Sequence, residues 1–191
     1  MPTVPNITIR RAVSGDAEAL ATVARKIFVE SFGWENDPDV LREYVDARMT
    51  PERLYSEIED EANRFFLVYS PVTENYDPAP GVNRESEIIA HLKMRFAPDT
   101  APPCVHGGNV AELARFFVRS DWQGRGIAQK MMKFCVHEAK SAGCDSLWLD
   151  VFPTNERARR FYYRQGFTDI GETEFPMGHI IKPVIVMSLS L

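Results

Sequence analysis

No run of about eighteen consecutive apolar residues occurs in the chain, so no membrane-spanning helix and no membrane partner are expected. The opening residues, MPTVPNITIRR, lack the apolar stretch of a secretory leader. Cysteine is scarce: Cys104, Cys135 and Cys144 are odd in number and show no C-x-x-C spacing. That argues against a disulfide framework and for a reducing, cytoplasmic setting. Basic residues are in deficit, with 22 Lys and Arg against 27 Asp and Glu and a formal net charge of -5. A nucleic-acid binder normally presents a positive surface, so no nucleic-acid partner is expected. His91, His106, His137 and His179 lack metal-ligand spacing and no Ser-His-Asp arrangement can be read, so no metal is expected.

What is present is an ordinary globular composition over 191 residues, 45% apolar and 26% charged, without repeats, low-complexity tracts or a linker. Such a chain buries one core, and a single domain over residues 1–191 is expected. ITIRRA, Ile7 to Ala12, alternates as a half-buried strand does. DAEALATVARKIFVESF carries helical spacing through Leu20, Val23, Ala24, Ile27 and Phe28. PDVLREYVDARM and TPERLYSEIEDE follow as helices, the second with Thr50 as N-cap and Pro51 in the first helical position. FFLVYS and EIIAHLKMRF read as strands separated by the turn-rich loop at 71–84, and a second loop spans 97–109. VAELARFFV, Val110 to Val118, is a strand, and residues from Ile127 to about Gly143 are an amphipathic helix. DSLWLDV is a buried strand, NERARRFYYRQ a short helix, and FTDIGETEF and VIVMSLSL are closing strands. The order is that of a mixed α/β or α+β domain.

Between the Val118 strand and the Ile127 helix lies SDWQGRG, with Gly124 and Gly126 just before the helix starts. A helix N-terminus offers unpaired N–H groups and the positive end of the helix dipole, and glycine lets an anion approach closely. A phosphate-binding loop of the Walker type needs Lys and then Ser or Thr after its last glycine; here Ile127 and Ala128 follow. A dinucleotide fingerprint needs a further glycine or alanine at the position of Gln129. Both fail, and two glycines alone say no more than that a turn enters a helix.

The surroundings say more. Gln123-Gly124-Arg125-Gly126-Ile127-Ala128 resembles the Q/R-x-x-G-x-G/A signature of the GNAT N-acetyltransferases. Downstream, LWLDVFPTNERARRFYYRQGF resembles that family's second motif through Asn155, Ala158, Phe161, Tyr162, Gly166 and Phe167. The region FVESFGWENDPDVLREYVDARMTPERLYSEI, AELARFFV and the tail GETEFPMG are similar to the PaiA-like polyamine acetyltransferases within it. The resemblance implies an α/β (α+β) fold, with a central mixed, mostly antiparallel sheet of about six to seven strands flanked by helices. It implies acetyl-CoA as cosubstrate and a small primary amine, such as a polyamine, as acceptor. It further implies that Gln123, Gly124, Arg125, Gly126, Ile127, Ala128 and Gln129 surround the pyrophosphate. Backbone N–H groups of Phe116, Phe117 and Val118 would polarise the thioester carbonyl beside a pantetheine arm bonded by Asn155. Arg164, on one helix face with Arg157 and Arg160, would meet the 3′-phosphate.

Acetylating an amine requires a base, since an alkylammonium titrates near 10.4, then oxyanion stabilisation and protonation of the departing thiolate. Strict alternation along VAELARFFV puts Glu112 on one face with Ala114, Phe116 and Val118, where apolar neighbours would raise its pKa. That makes Glu112 the candidate base; a surface or ion-paired glutamate is the plainer alternative. By the resemblance, Tyr162 protonates the thiolate. On the acceptor side Phe28, Phe32 and Trp34, near Glu30, Glu35 and Asp37, suit an alkylammonium, or else Phe28 and Phe32 are simply core. Two other activities stay open: a non-catalytic acyl-CoA sensor and a protein or peptide N-acetyltransferase. The assembly is expected to be a monomer or homodimer.

Overall fold

A computed structural model describes residues 5–70 and 87–191; the loop expected at 71–84 lies outside them. Its order is β1 (Thr8–Arg11), α1 (Ala17–Phe32), α2 (Pro38–Arg48), α3 (Pro51–Glu59), β2 (Asn63–Tyr69), β3 (Ile88–Arg95) and β4 (Val110–Val118). There follow α4 (Ile127–Ser141), β5 (Ser146–Val151), α5 (Glu156–Arg164), β6 (Thr168–Met177) and β7 (Ile180–Ser190). Local chemistry sets the helix starts. Thr50 Oγ1 accepts the Arg53 N–H at 3.2 Å ahead of Pro51, and Asn155 Oδ1 accepts the Ala158 N–H at 3.2 Å. Asp37 caps α2 in the same way through the Asp39 N–H, at 2.8 Å.

The strands form one seven-stranded sheet among the described residues, in the order β1-β2-β3-β4-β5-β7-β6. Every neighbouring pair is antiparallel except β4 and β5. One face packs on α4 and α5 through Phe66, Leu92, Leu113, Met131, Cys135 and Phe167. The other packs on α1, α2 and α3 through Phe28, Phe32, Leu41, Leu54, Phe65 and Leu67. The loop at 97–109 lies over Trp148, where Ala101, Cys104 and Val105 close a small third cluster with Ile170. No described helix is long and apolar enough to cross a membrane.

Two irregularities of β4 shape the middle of the molecule. It pairs with β5 only at Val110↔Ser146, Ala111↔Leu147 and Glu112↔Trp148, although both strands run on beyond. Past Glu112 the two therefore part, leaving a wedge in the middle of the sheet. The second is a β-bulge. Lys93 pairs with Arg115 but Met94 pairs with Leu113, so Ala114 is the extra residue. The bulge resets the alternation. Glu112, opposite Arg95, lies on the face of Arg115 and Phe117, while Phe116 and Val118 lie on the α4 face with Leu113. This corrects the strict alternation expected from the sequence, which put Glu112 with Phe116 and Val118.

Candidate active site

The wedge is a cleft of about 520 Å³, a size suited to a small-molecule site. One half of it is built from β4, the turn before α4, and α5. Gly124 and Gly126 sit at φ of 78° and 77°, left-handed backbone that glycine adopts without strain. The first backbone bond of α4 runs from the Lys130 N–H to Gly126 O at 3.3 Å, which leaves the earlier N–H groups of the helix unpaired. Gly126, Ile127, Ala128 and Gln129 border the cleft together with Gln123 and Gly124. A side chain at Gly124 would meet no atom of the other described residues within 4 Å. Arg125 does not border the cleft. It is exposed, donates to Asp121 O at 3.0 Å and stacks over Trp122.

The β4 edge supplies backbone groups. The Arg119 N–H donates to Ile89 O at 2.9 Å, which fixes the phase of the ladder. Arg115 and Phe117 thus bond toward β3, while Phe116 and Val118 turn their N–H and C=O toward the cleft. Of the three residues expected to offer N–H groups, Phe117 is the exception. The Gln123 amide donates to Val118 O at 2.9 Å and accepts from Arg157 at 2.6 Å, tying the turn to both β4 and α5. Asn155 borders the cleft with its Oδ1 committed to the α5 cap. Arg157 and Arg164 also border it, whereas Arg160 is exposed and reaches Glu156 at 3.7 Å.

Tyr162 is buried among Phe116, Phe161 and Phe167 and borders the cleft. Burial first, then the neighbouring Asp150 charge, pushes its phenol well above the ordinary range, so it stays protonated at any neutral pH. Glu112 is not among the residues bordering the cleft. Its carboxylate lies 2.9 Å from Arg95, and burial, opposed by that arginine, raises its pKa. Asp150 does border the cleft, just where β5 leaves β4. Burial lifts its carboxyl from 3.8 to about 6, against the opposing pull of its own backbone N–H and of Arg95. Sequence reading misses Asp150 because it looks like one polar residue inside a buried strand; that oddity is the available signal.

The other half of the cleft is aromatic. Phe28 and Phe32 are core residues whose rings also form the wall, with Phe117, Phe152 and Phe175. Tyr44 stacks on Phe28 at 4.7 Å. Trp34 stands outside, 71% exposed, in an adjoining groove with Glu30, Glu35 and Glu156.

The Acetyltransferase (GNAT) family model matches residues 38–167. The chain is 23% identical over 163 residues to an uncharacterized N-acetyltransferase in the pepI 3′ region of Lactobacillus delbrueckii subsp. lactis, covering 85% of each. It is 39% identical over 64 residues to the spermine/spermidine N(1)-acetyltransferase of Bacillus subtilis (strain 168), which covers 33% of this chain and 42% of the relative. Among solved structures, the PaiA N-acetyltransferase from Thermoplasma acidophilum in complex with coenzyme A superposes with a TM-score of 0.73 at 18% identity, covering 97% and 99% of the two chains.

Proposed function

Because the chain belongs to the GNAT acetyltransferase family, we propose that it moves the acetyl group of acetyl-CoA to the primary amine of a small molecule. The observation that carries this reading is the wedge between β4 and β5, with a glycine-entered helix N-terminus on one side and an aromatic chamber on the other. These residues fit the donor. Unpaired N–H groups at the start of α4 suit a diphosphate, and the free edge of β4 suits an amide-bearing arm laid along it as an extra strand. Asn155 and Gln123, which line the same cleft, would bond that arm, and Arg164, which also lines it, would meet a further phosphate.

Acetyl-CoA, when bound, supplies the thioester that is to be broken. The N–H groups of Phe116 and Val118 face the oxygen on which negative charge develops. Asp150 takes the proton of the ammonium as nitrogen bonds to the acetyl carbon; at about 6 it is ionised at neutral pH yet more basic than an ordinary aspartate. The carbon–sulfur bond breaks, Tyr162 gives its proton to the departing thiolate, and the second proton shed by the nitrogen as the amide forms returns to the Tyr162 oxygen. Glu112, paired with Arg95 behind the cleft wall, holds that arginine beside Asp150.

Spermidine and spermine belong among the acceptors to test, since the Bacillus subtilis relative carries them in its name. The test is thiol release from acetyl-CoA across polyamines, diamines, amino acids, amino sugars and short peptides with free N-termini. Amine-dependent release is expected. Tight acetyl-CoA binding with no release on any amine would mean a sensor, and release on peptides alone a protein N-acetyltransferase.

A further inference from the structure

The inner wall of the acceptor chamber holds a buried guanidinium whose hydrogen bonds are not all made. Arg115 borders the cleft from β4, and its side chain is only 10% exposed. Its Nη2 lies 3.4 Å from Glu57 and donates to Arg48 O at 3.4 Å, while its buried Nη1 has no hydrogen-bond partner among the described residues. Glu57 is already shared: Lys93 holds it at 2.9 Å and Arg53 at 3.0 Å. Three cations thus meet one carboxylate. Arg95 brings no relief, being matched by Glu112 at 2.9 Å. His91, buried on the same face, adds no charge, because burial and then Arg115 bring its pKa down to about 3. The crowding is visible in Lys93, which burial, Arg115 and Arg95 bring down to about 8 against the pull of Glu57.

A guanidinium enclosed by protein, with its Nη1 donor unfilled at the edge of a cleft, is matched best by an anion that accepts from that nitrogen. A second ammonium at that wall would be repelled, and the low-dielectric surroundings strengthen the repulsion. We infer that the acceptor is an amine that also carries a carboxylate, and that Arg115 binds this carboxylate while the amine faces the thioester. The inference rests on the acetyltransferase reading and narrows its substrate class. It also gives Tyr44 a use: the half-buried phenol borders the same part of the cleft and can donate to the same anion.

The test uses pairs of amines that differ by one carboxylate, ornithine against putrescine and lysine against cadaverine, with phosphoethanolamine against ethanolamine as the phosphate arm. The unmodified protein should show kcat/KM at least about tenfold higher for the carboxylate member of a pair, the scale of one charged hydrogen-bonded contact. Arg115→Gln should collapse that ratio toward one, and Arg115→Lys should keep part of it. Diamines turned over as well as their carboxylate partners would overturn the inference while leaving acetyl transfer intact. So would a preference confined to phosphoethanolamine, or an Arg115→Gln protein that loses activity equally on both members of a pair. No turnover of any amine would remove both the inference and the acetyltransferase reading.

Discussion

Replacing Asp150 by Asn should cost the protein its catalysis and improve its stability, in a pH-dependent way that identifies the cause. The carboxyl is raised from 3.8 to about 6, mainly by burial at the parting of β4 and β5. The ionised folded protein is therefore penalised by about 3 kcal/mol relative to the unfolded chain. The sign follows from proton binding. Between about 4 and about 6 the folded state holds a proton that the unfolded state has lost, so stability falls as pH rises through this window. Below about 4 both states are protonated and the penalty vanishes. The neutral amide of Asp150→Asn carries no such penalty, so the variant should gain up to about 3 kcal/mol at pH 8, roughly 6–12 °C in Tm for a chain of this size. At pH 4 the two proteins should melt together. In a thiol-release assay, kcat/KM of the unmodified protein should climb tenfold per pH unit up to about 6 and then flatten. The Asn variant should lose that limb and about 10²–10⁴ in rate, whereas Glu112→Gln should keep the limb. A limb that survives in Asp150→Asn but disappears in Glu112→Gln would refute the assignment. An absent Tm gain at pH 8 would refute the burial argument behind it.

Tyr162→Phe should lower kcat by about a hundredfold or more, with the KM for acetyl-CoA within about twofold, because the ring keeps its packing and only the proton is lost; steady-state kinetics separate the two. Gly126→Val puts a β-branched residue at φ 77°, at a strain of about 1–3 kcal/mol; a raised acetyl-CoA Kd by calorimetry and a lowered Tm are expected together. Glu57→Ala leaves Lys93, Arg53 and Arg115 without their shared carboxylate and should cost about 3–5 kcal/mol in urea denaturation.

Much of this protein is legible along the chain because much of it is locally determined. Thr50 caps α3, and the strand Val110–Val118 has the bounds its sequence predicts. The glycine turn is a local object too, since positive φ at Gly124 and Gly126 and a helix just after them need no distant partner. With the strand before it and the Asn155 helix after it, most of the residues that line this side of the cleft are named by local sequence alone. Arg125 and Trp34 stand outside the cleft that their residue types suggest for them. Residue type suggests a role, but only packing decides which side of a wall a side chain occupies.

The acceptor half is not legible in this way, because it depends on pairings between distant segments. The bulge at Ala114 exists only in the register of β4 against β3, and a single extra residue moves Glu112 to the other face of the sheet. Asp150 becomes a perturbed acid only because the elements packed around it bury its carboxyl. Arg115 becomes a cation that shares its carboxylate only because α3 delivers one carboxylate to a place where β3 and β4 already deliver two cations. Periodicity, caps and turns act within a few residues and so determine the elements and the donor site. Burial and charge balance are sums over everything that packs around a group, and for the acceptor chamber only the tertiary structure performs that sum.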